Sequence, residues 1–123
     1  MAKTILVVDD SGTVRQQVSM ALKQAGFAIV EAADGQEALE AIASNRAIDM
    51  VVCDVNMPVL NGLEMVEKVK QQPEHKSLPI LMLTTEGQPS MIKRAKEAGA
   101  VGWIVKPFDA SQLVQTAKHL TKT

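Results

Sequence analysis

Four short apolar runs limit what this chain can become: Ile5-Leu6-Val7-Val8, Met50-Val51-Val52-Cys53, Ile80-Leu81-Met82-Leu83 and Trp103-Ile104-Val105. Each has the length of a strand, and amphipathic stretches of helical length lie between them. The runs are continuously apolar rather than alternating, so these strands are expected to be buried on both faces. A parallel sheet covered by helices on either side meets that requirement. A further strand is expected over Phe27 to Ala32. The predicted fold is therefore α/β, a doubly wound five-stranded parallel sheet with five helices.

Local signals place the helices. The first is expected to begin near Ser11, to present Val14, Val18, Ala21, Leu22 and Ala25 on one side, and to stop at Gly26. Asp34 reads as the N-cap of a second, carrying Ala38, Leu39 and Ile42 and ending near Ser44-Asn45. The third strand is expected from Asp49 to Cys53, followed by a loop over Asn56 to Gly62. Leu63, Val66 and Val69 form the stripe of a third helix that closes before Pro73, and Gln72 to Pro79 reads as a polar connector. Pro89 opens a fourth helix that runs to Ala98 and is capped by Gly99. A strand over Gly102 to Val105 follows, and Asp109 then caps a last helix with Leu113, Val114, Ala117 and Leu120 facing inward. With no repeat, low-complexity tract or linker, residues 1–123 are expected to form one domain with no output domain.

Composition removes some classes of function. Thirteen basic residues against 14 acidic ones leave a net charge of −1, without the basic excess that nucleic-acid binding requires. No apolar stretch is long enough to span a bilayer or to act as a signal-peptide core, so a cytoplasmic protein with no membrane partner is expected. The single cysteine, Cys53, cannot form an internal disulfide and suits a small buried hydrophobe. His75 and His119 stand apart from any second ligand, and Met57, Met65, Met82 and Met91 read as packing residues.

The residues that end the runs carry the chemistry. Asp9-Asp10 follows the first run, Asp54 the second, Thr84-Thr85 the third and Lys106-Pro107 the fourth. In open parallel sheets the ligand crevice lies just outside the carboxyl ends of the strands, so acid, hydroxyl and ammonium should converge there. Asp54 is the candidate nucleophile toward phosphorus, as in enzymes that form an aspartyl phosphate. Asp9, Asp10 and Asp54 offer hard oxygen ligands suited to Mg²⁺, and the backbone carbonyl of Asn56 can complete the protein's share. Unit charges about 4 Å apart interact by roughly 4 kcal/mol at an effective dielectric of 20, so a cation or Lys106 must offset the carboxylate repulsion. Lys106 is expected beside Asp54 for this reason.

Thr84 and Lys106 can each bond a phosphoryl oxygen, which would favour a phosphorylated conformation over the free one. Trp103, the single tryptophan in a chain without tyrosine, lies three residues before Lys106 and is expected to respond when Thr84 moves. Taken singly, Asp9-Asp10 could merely cap a helix, Asp54 could end a turn, and Lys106-Pro107 could be a turn whose isomer the sequence leaves open. Their joint occurrence at four strand ends favours the chemical reading.

Val7-Val8-Asp9-Asp10-Ser11, Val52-Cys53-Asp54-Val55-Asn56-Met57-Pro58, Leu83-Thr84-Thr85-Glu86 and Val105-Lys106-Pro107-Phe108 together resemble the signature of two-component response regulator receiver domains. The resemblance covers the whole chain. Gly99-Ala100-Val101-Gly102-Trp103 ahead of Lys106 most resembles the stand-alone chemotaxis regulators of the CheY type. It implies the flavodoxin-like strand order 2-1-3-4-5. It further implies that Asp54 accepts a phosphoryl group from a histidine kinase of the chemotaxis type, or from small phosphodonors, with Mg²⁺ as cofactor and with autodephosphorylation.

By the same resemblance Thr84 and Trp103 form the switch, and Asn56 and Glu86 tune dephosphorylation toward a short-lived phosphate. The family's mobile aromatic is usually Tyr or Phe, so Trp103 is a departure. The implied output is phosphorylation-dependent binding to a separate protein such as a flagellar motor switch component, with room for a phosphatase and with the regulator a monomer. The implied contact face spans Met91 to Ala98, Trp103 and Gln112 to His119, where Lys93, Lys96 and Lys118 suit an acidic partner segment.

Other functions make different demands. A Mg²⁺-dependent phosphatase with an Asp nucleophile would carry Asp-x-Asp after its first strand, whereas here the isolated acid follows the third. A flavin or nucleotide carrier would want a phosphate loop where this chain places Asp9-Asp10-Ser11-Gly12. Within the receiver class, a role in a phosphorelay or in regulating another kinase is the alternative to the motor.

Overall fold

The apolar runs pair as strands, and the structure, a computed structural model, describes residues 2–123. The strands are β1 (Thr4–Val8), β2 (Ala28–Ala32), β3 (Ile48–Cys53), β4 (Ile80–Thr84) and β5 (Gly102–Val105). Between and after them run α1 (Gly12–Gln24), α2 (Gly35–Ser44), α3 (Gly62–Lys70), α4 (Pro89–Ala98) and α5 (Ala110–Thr121). All strand pairs are parallel and the order is β2-β1-β3-β4-β5, as the resemblance implied. No described helix is long and apolar enough to cross a membrane.

The pleat sends alternate residues to opposite faces, which yields two cores. Leu6, Val8, Val51, Cys53, Ile80 and Met82 pack with Ala38 and Ile42 of α2, Leu63, Val66 and Val69 of α3 and Ala95 of α4. Ile5, Val7, Met50, Val52, Leu81 and Leu83 pack with Val18 and Leu22 of α1 and Leu113 and Ala117 of α5. At about 1.5–3 kcal/mol for each fully buried Val, Leu or Ile, these double-faced strands dominate the stabilisation and leave the polar residues at their ends for chemistry. The central pairing of Val8 with Cys53 fixes how Asp9 and Asp54 emerge side by side.

The caps expected at Asp34 and Asp109 are present, and Ser11 and Asn61 add two more. Ser11, Asp34, Asn61 and Asp109 each accept a backbone N–H of the helix that follows, and Asn61 forms a capping box with Glu64. Gly99 ends α4 at φ 114°, a left-handed conformation that glycine adopts without a Cβ penalty. The structure departs from the pattern-based reading in several places; β3, for one, begins at Ile48 rather than Asp49. Phe27 lies outside β2, because its N–H returns to the Leu22 carbonyl at 3.1 Å to close the end of α1. The connector after α3 contains a short 3₁₀ turn, Pro73–His75, and the Lys70 ammonium holds it by donating to the carbonyls of His75, Lys76 and Leu78 at 3.1, 3.0 and 2.6 Å.

One close packing contact matters for the site. A Cβ at Gly62 would lie 2.0 Å from the Asp54 carbonyl oxygen, while the Gly62 N–H donates to Val55 O at 2.8 Å. The start of α3 therefore presses directly against the backbone that carries Asp54.

Candidate functional site

Asp9, Asp54 and Lys106 each sit one residue past a strand, yet their N–H groups extend the sheet's hydrogen bonding by another step. They donate to the carbonyls of Ala32, Val8 and Thr84 at 3.1, 3.0 and 2.8 Å. The three side chains are thus delivered from the rigid edge of the sheet rather than from mobile loops. Asp9 and Asp54 are 4% and 7% exposed, whereas Asp10 faces solvent.

Carboxylate oxygens of Asp9, Asp10 and Asp54 lie within 4.8 Å of one another. Two of the three are partnered. The Lys106 ammonium donates to Asp9 Oδ2 at 2.7 Å and to Asp54 Oδ2 at 3.2 Å. Lys106 therefore sits beside Asp54, as expected from sequence, and also bonds Asp9, at the shorter distance. The reason is geometric: Ser11 N–H holds Asp9 Oδ1 at 2.9 Å, so the second oxygen turns toward the ammonium. Asp54 Oδ1 likewise accepts the N–H of Val55 at 2.7 Å. The Asp10 carboxylate accepts no hydrogen bond among the described residues.

Electrostatics follow this arrangement. Burial works against the charge on Lys106, but the hydrogen bond to Asp9 and the charges of Asp54 and Asp9 outweigh it, so its pKa is raised. Burial, reinforced by the neighbouring charges of Asp54 and Asp9, pushes the Cys53 thiol far above its ordinary range. Cys53 is thus a buried, unreactive packing residue.

Thr84, fully buried, accepts the Glu86 N–H at 3.3 Å, which leaves its hydroxyl proton available to donate. Glu86 joins three elements. Its carboxylate accepts from Asn56 Nδ2 at 2.7 Å, and its carbonyl accepts the indole Nε1–H of Trp103 at 2.8 Å. The indole of Trp103 is half-buried against the core and has the polar partner that such burial demands. The Lys106-Pro107 peptide bond is cis. The two histidines belong to no metal-ligating cluster among the described residues.

Sequence reading brought together every residue of this cluster but missed three supporting contacts. Arg15 donates from Nη1 to the Asp9 carbonyl at 2.7 Å and from Nε to Glu31 at 3.1 Å. Ser11 holds Asp9 through its backbone, and Gly62 backs Asp54. The position of Arg15 one turn into the helix after Asp9-Asp10 is the signal that could have found it, since helical side chains point back toward the N-terminus.

The strand order and the convergence of these side chains at one sheet edge place the protein among the flavodoxin-like α/β domains that work at the carboxyl ends of their strands. Residues 5–118 match the response regulator receiver domain, and the chain belongs to that family. It is 37% identical over 120 residues to a chemotaxis protein CheY homolog of Campylobacter jejuni, covering 97% of this chain and 92% of that protein. It is 41% identical over 105 residues to chemotaxis protein CheY1 of Helicobacter pylori, covering 85% of each. The structure of CheY4 from Vibrio cholerae superposes with a TM-score of 0.91 at 44% identity, covering 98% of this chain and 99% of that one. The receiver family accounts for the chain order of the site; an Asp-nucleophile phosphatase does not.

Proposed function

We propose that Asp54 is the phosphoacceptor of a chemotaxis response regulator, and that its phosphorylated form acts by binding a separate protein. The observation that carries this reading is the buried Asp54 carboxylate bonded to Lys106, with carboxylate oxygens of Asp9 and Asp10 within 4.8 Å. An all-oxygen donor set of this kind suits Mg²⁺, which Asp9, Asp10, Asp54 and the backbone carbonyl of Asn56 would hold. The cation, when bound, supplies charge neutralisation for the transferring phosphoryl group.

An Asp54 oxygen attacks the phosphorus of a kinase phosphohistidine or a small phosphodonor. The new O–P bond forms as the N–P or donor O–P bond breaks, and the leaving group departs with its electron pair. Lys106 then exchanges its contact with Asp54 for one with a phosphoryl oxygen, and Thr84 donates its hydroxyl to another. Drawing Thr84 toward the phosphate disturbs the loop that Glu86 anchors to both Asn56 and Trp103. This gives phosphorylation a mechanical route to the α4–β5–α5 surface, where Lys93, Lys96 and Lys118 would meet an acidic segment of the target. We place the protein in the cytoplasm, between a histidine kinase and a target such as the flagellar motor switch.

Intact-mass measurement after treatment with Mg²⁺ and a small phosphodonor tests the chemistry. One phosphoryl adduct is expected on the wild type and none on Asp54→Asn; an equal adduct on both would overturn the assignment. Capture of a motor-switch protein by the beryllofluoride-loaded form alone supports the motor target. Capture of another kinase or a phosphotransfer protein instead would replace that target with a relay.

A further inference from the structure

Asp9 is held at four points. Its N–H bonds Ala32 O, its Oδ1 takes the Ser11 N–H, its Oδ2 takes Lys106, and its carbonyl takes Arg15 Nη1 at 2.7 Å. The first two and the lysine hold the residue and its carboxylate, the Ser11 bond closing a ring through the Asp9–Asp10 peptide; only the Arg15 bond is made directly to the carbonyl of that peptide. Because the Asp9 carbonyl and the Asp10 N–H and Cα share one plane, its orientation sets where the Asp10 carboxylate points. Among the described residues, the Asp10 side chain has no partner of its own to do so.

Arg15 is itself anchored, with Nε bonded to Glu31 at 3.1 Å and its side chain 22% exposed. A planar guanidinium can hold a carbonyl and a carboxylate at once through separate N–H groups, which the point charge of a lysine does less well. We infer that Arg15 is a positioning residue for cation binding, acting through the Asp9–Asp10 peptide to aim Asp10; this rests on the metal-dependent reading above.

Charge alone predicts the opposite effect. A positive group beside a cation site repels the cation, so a spectator Arg15 would, on removal, leave binding tighter. If Arg15 aims Asp10, its removal weakens binding despite the lost repulsion.

Isothermal titration with Mg²⁺ separates the two, using wild type, Arg15→Met, Arg15→Lys and Asp10→Asn, with the melting temperature of each cation-free protein as a control for folding. We expect Arg15→Met to bind Mg²⁺ about tenfold more weakly, on the scale of one hydrogen bond to a charged donor. Arg15→Lys, which retains the charge and one donor, should recover part of that loss. Equal or tighter binding by a folded Arg15→Met overturns the inference. If Arg15→Met does not fold, wild-type affinity in Arg15→Lys overturns it. Absence of saturable Mg²⁺ binding in the wild type, or undiminished binding in Asp10→Asn, instead refutes the metal site and the inference with it.

Discussion

The indole N–H of Trp103 donates to the backbone carbonyl of Glu86 at 2.8 Å, tying the edge strand β5 to the loop between β4 and α4. The same Glu86 bonds Asn56 through its carboxylate, so a residue two positions from Asp54 and an aromatic ring on β5 share one intermediary. A phenylalanine at this position would fill space without making the bond.

Trp103→Phe should therefore cost about 0.5–1.5 kcal/mol of stability, the usual net worth of one such hydrogen bond, plus any cost of the smaller ring. Amide hydrogen exchange over Thr85 to Gln88 should quicken while the central strands keep their protection. Unchanged exchange in that loop would show that the indole does not restrain it.

With Asp54 as the proposed phosphoacceptor, the hydrogen-bonded pair Asn56 and Glu86 would orient an attacking water. Asn56→Leu should lengthen the phosphate lifetime about tenfold, equivalent to losing one hydrogen bond of ~1.4 kcal/mol in the hydrolytic transition state. Decay of the phosphorylated protein, followed by intact mass after removal of the donor, measures this. A lifetime unchanged or shortened in the variant would remove the pair from hydrolysis.

Lys106 supplies a pH-dependent part of the stability. Its folded pKa is raised above the ordinary value of 10.5, so its contribution is fully present below that value and disappears as pH rises through the folded value. Lys106→Met should lower stability at pH 8 by about 1–2 kcal/mol, less than for a fully buried pair because some solvent reaches the ammonium. The gap between variant and wild type should close above pH 10.5 as the wild-type ammonium titrates, which urea melts across that range will show. Mg²⁺ at neutral pH should also narrow it by neutralising Asp9, Asp10 and Asp54.

Gly62→Ala forces a methyl group to within 2.0 Å of the Asp54 carbonyl oxygen unless the backbone shifts. A loss of about 1–3 kcal/mol is expected from the overpacking, together with slower phosphorylation of the fraction that remains folded. Thermal melting and single-turnover labelling with a small phosphodonor provide the two readouts. Wild-type values in both would mean that the start of α3 yields without moving the acceptor.

Local pattern was sufficient for the elements because the determinants are local. Ile5 to Val8 and Met50 to Cys53 are apolar on both faces, and Ser11, Asp34, Asn61 and Asp109 cap helices through atoms within three residues. The same runs made Asp9, Asp10, Asp54, Thr84 and Lys106 legible as a group, since any parallel sheet brings its strand ends to one edge. The start of β2 was read less well, because the bond from Phe27 to Leu22 depends on how α1 finishes rather than on the apolar run.

The sequence by itself determined the strands, the helices and the residue types presented at the carboxyl edge, all through periodicity and short-range hydrogen bonding. Tertiary structure decided which groups touch: Lys106 nearer to Asp9 than to Asp54, Arg15 on the Asp9 carbonyl, Gly62 beneath Asp54, and Trp103 on Glu86. Lys106 and Asp9 are separated by 97 positions and Trp103 and Glu86 by 17, and hydrogen bonds of about 3 Å are settled only when the whole sheet and its covering helices set the distances.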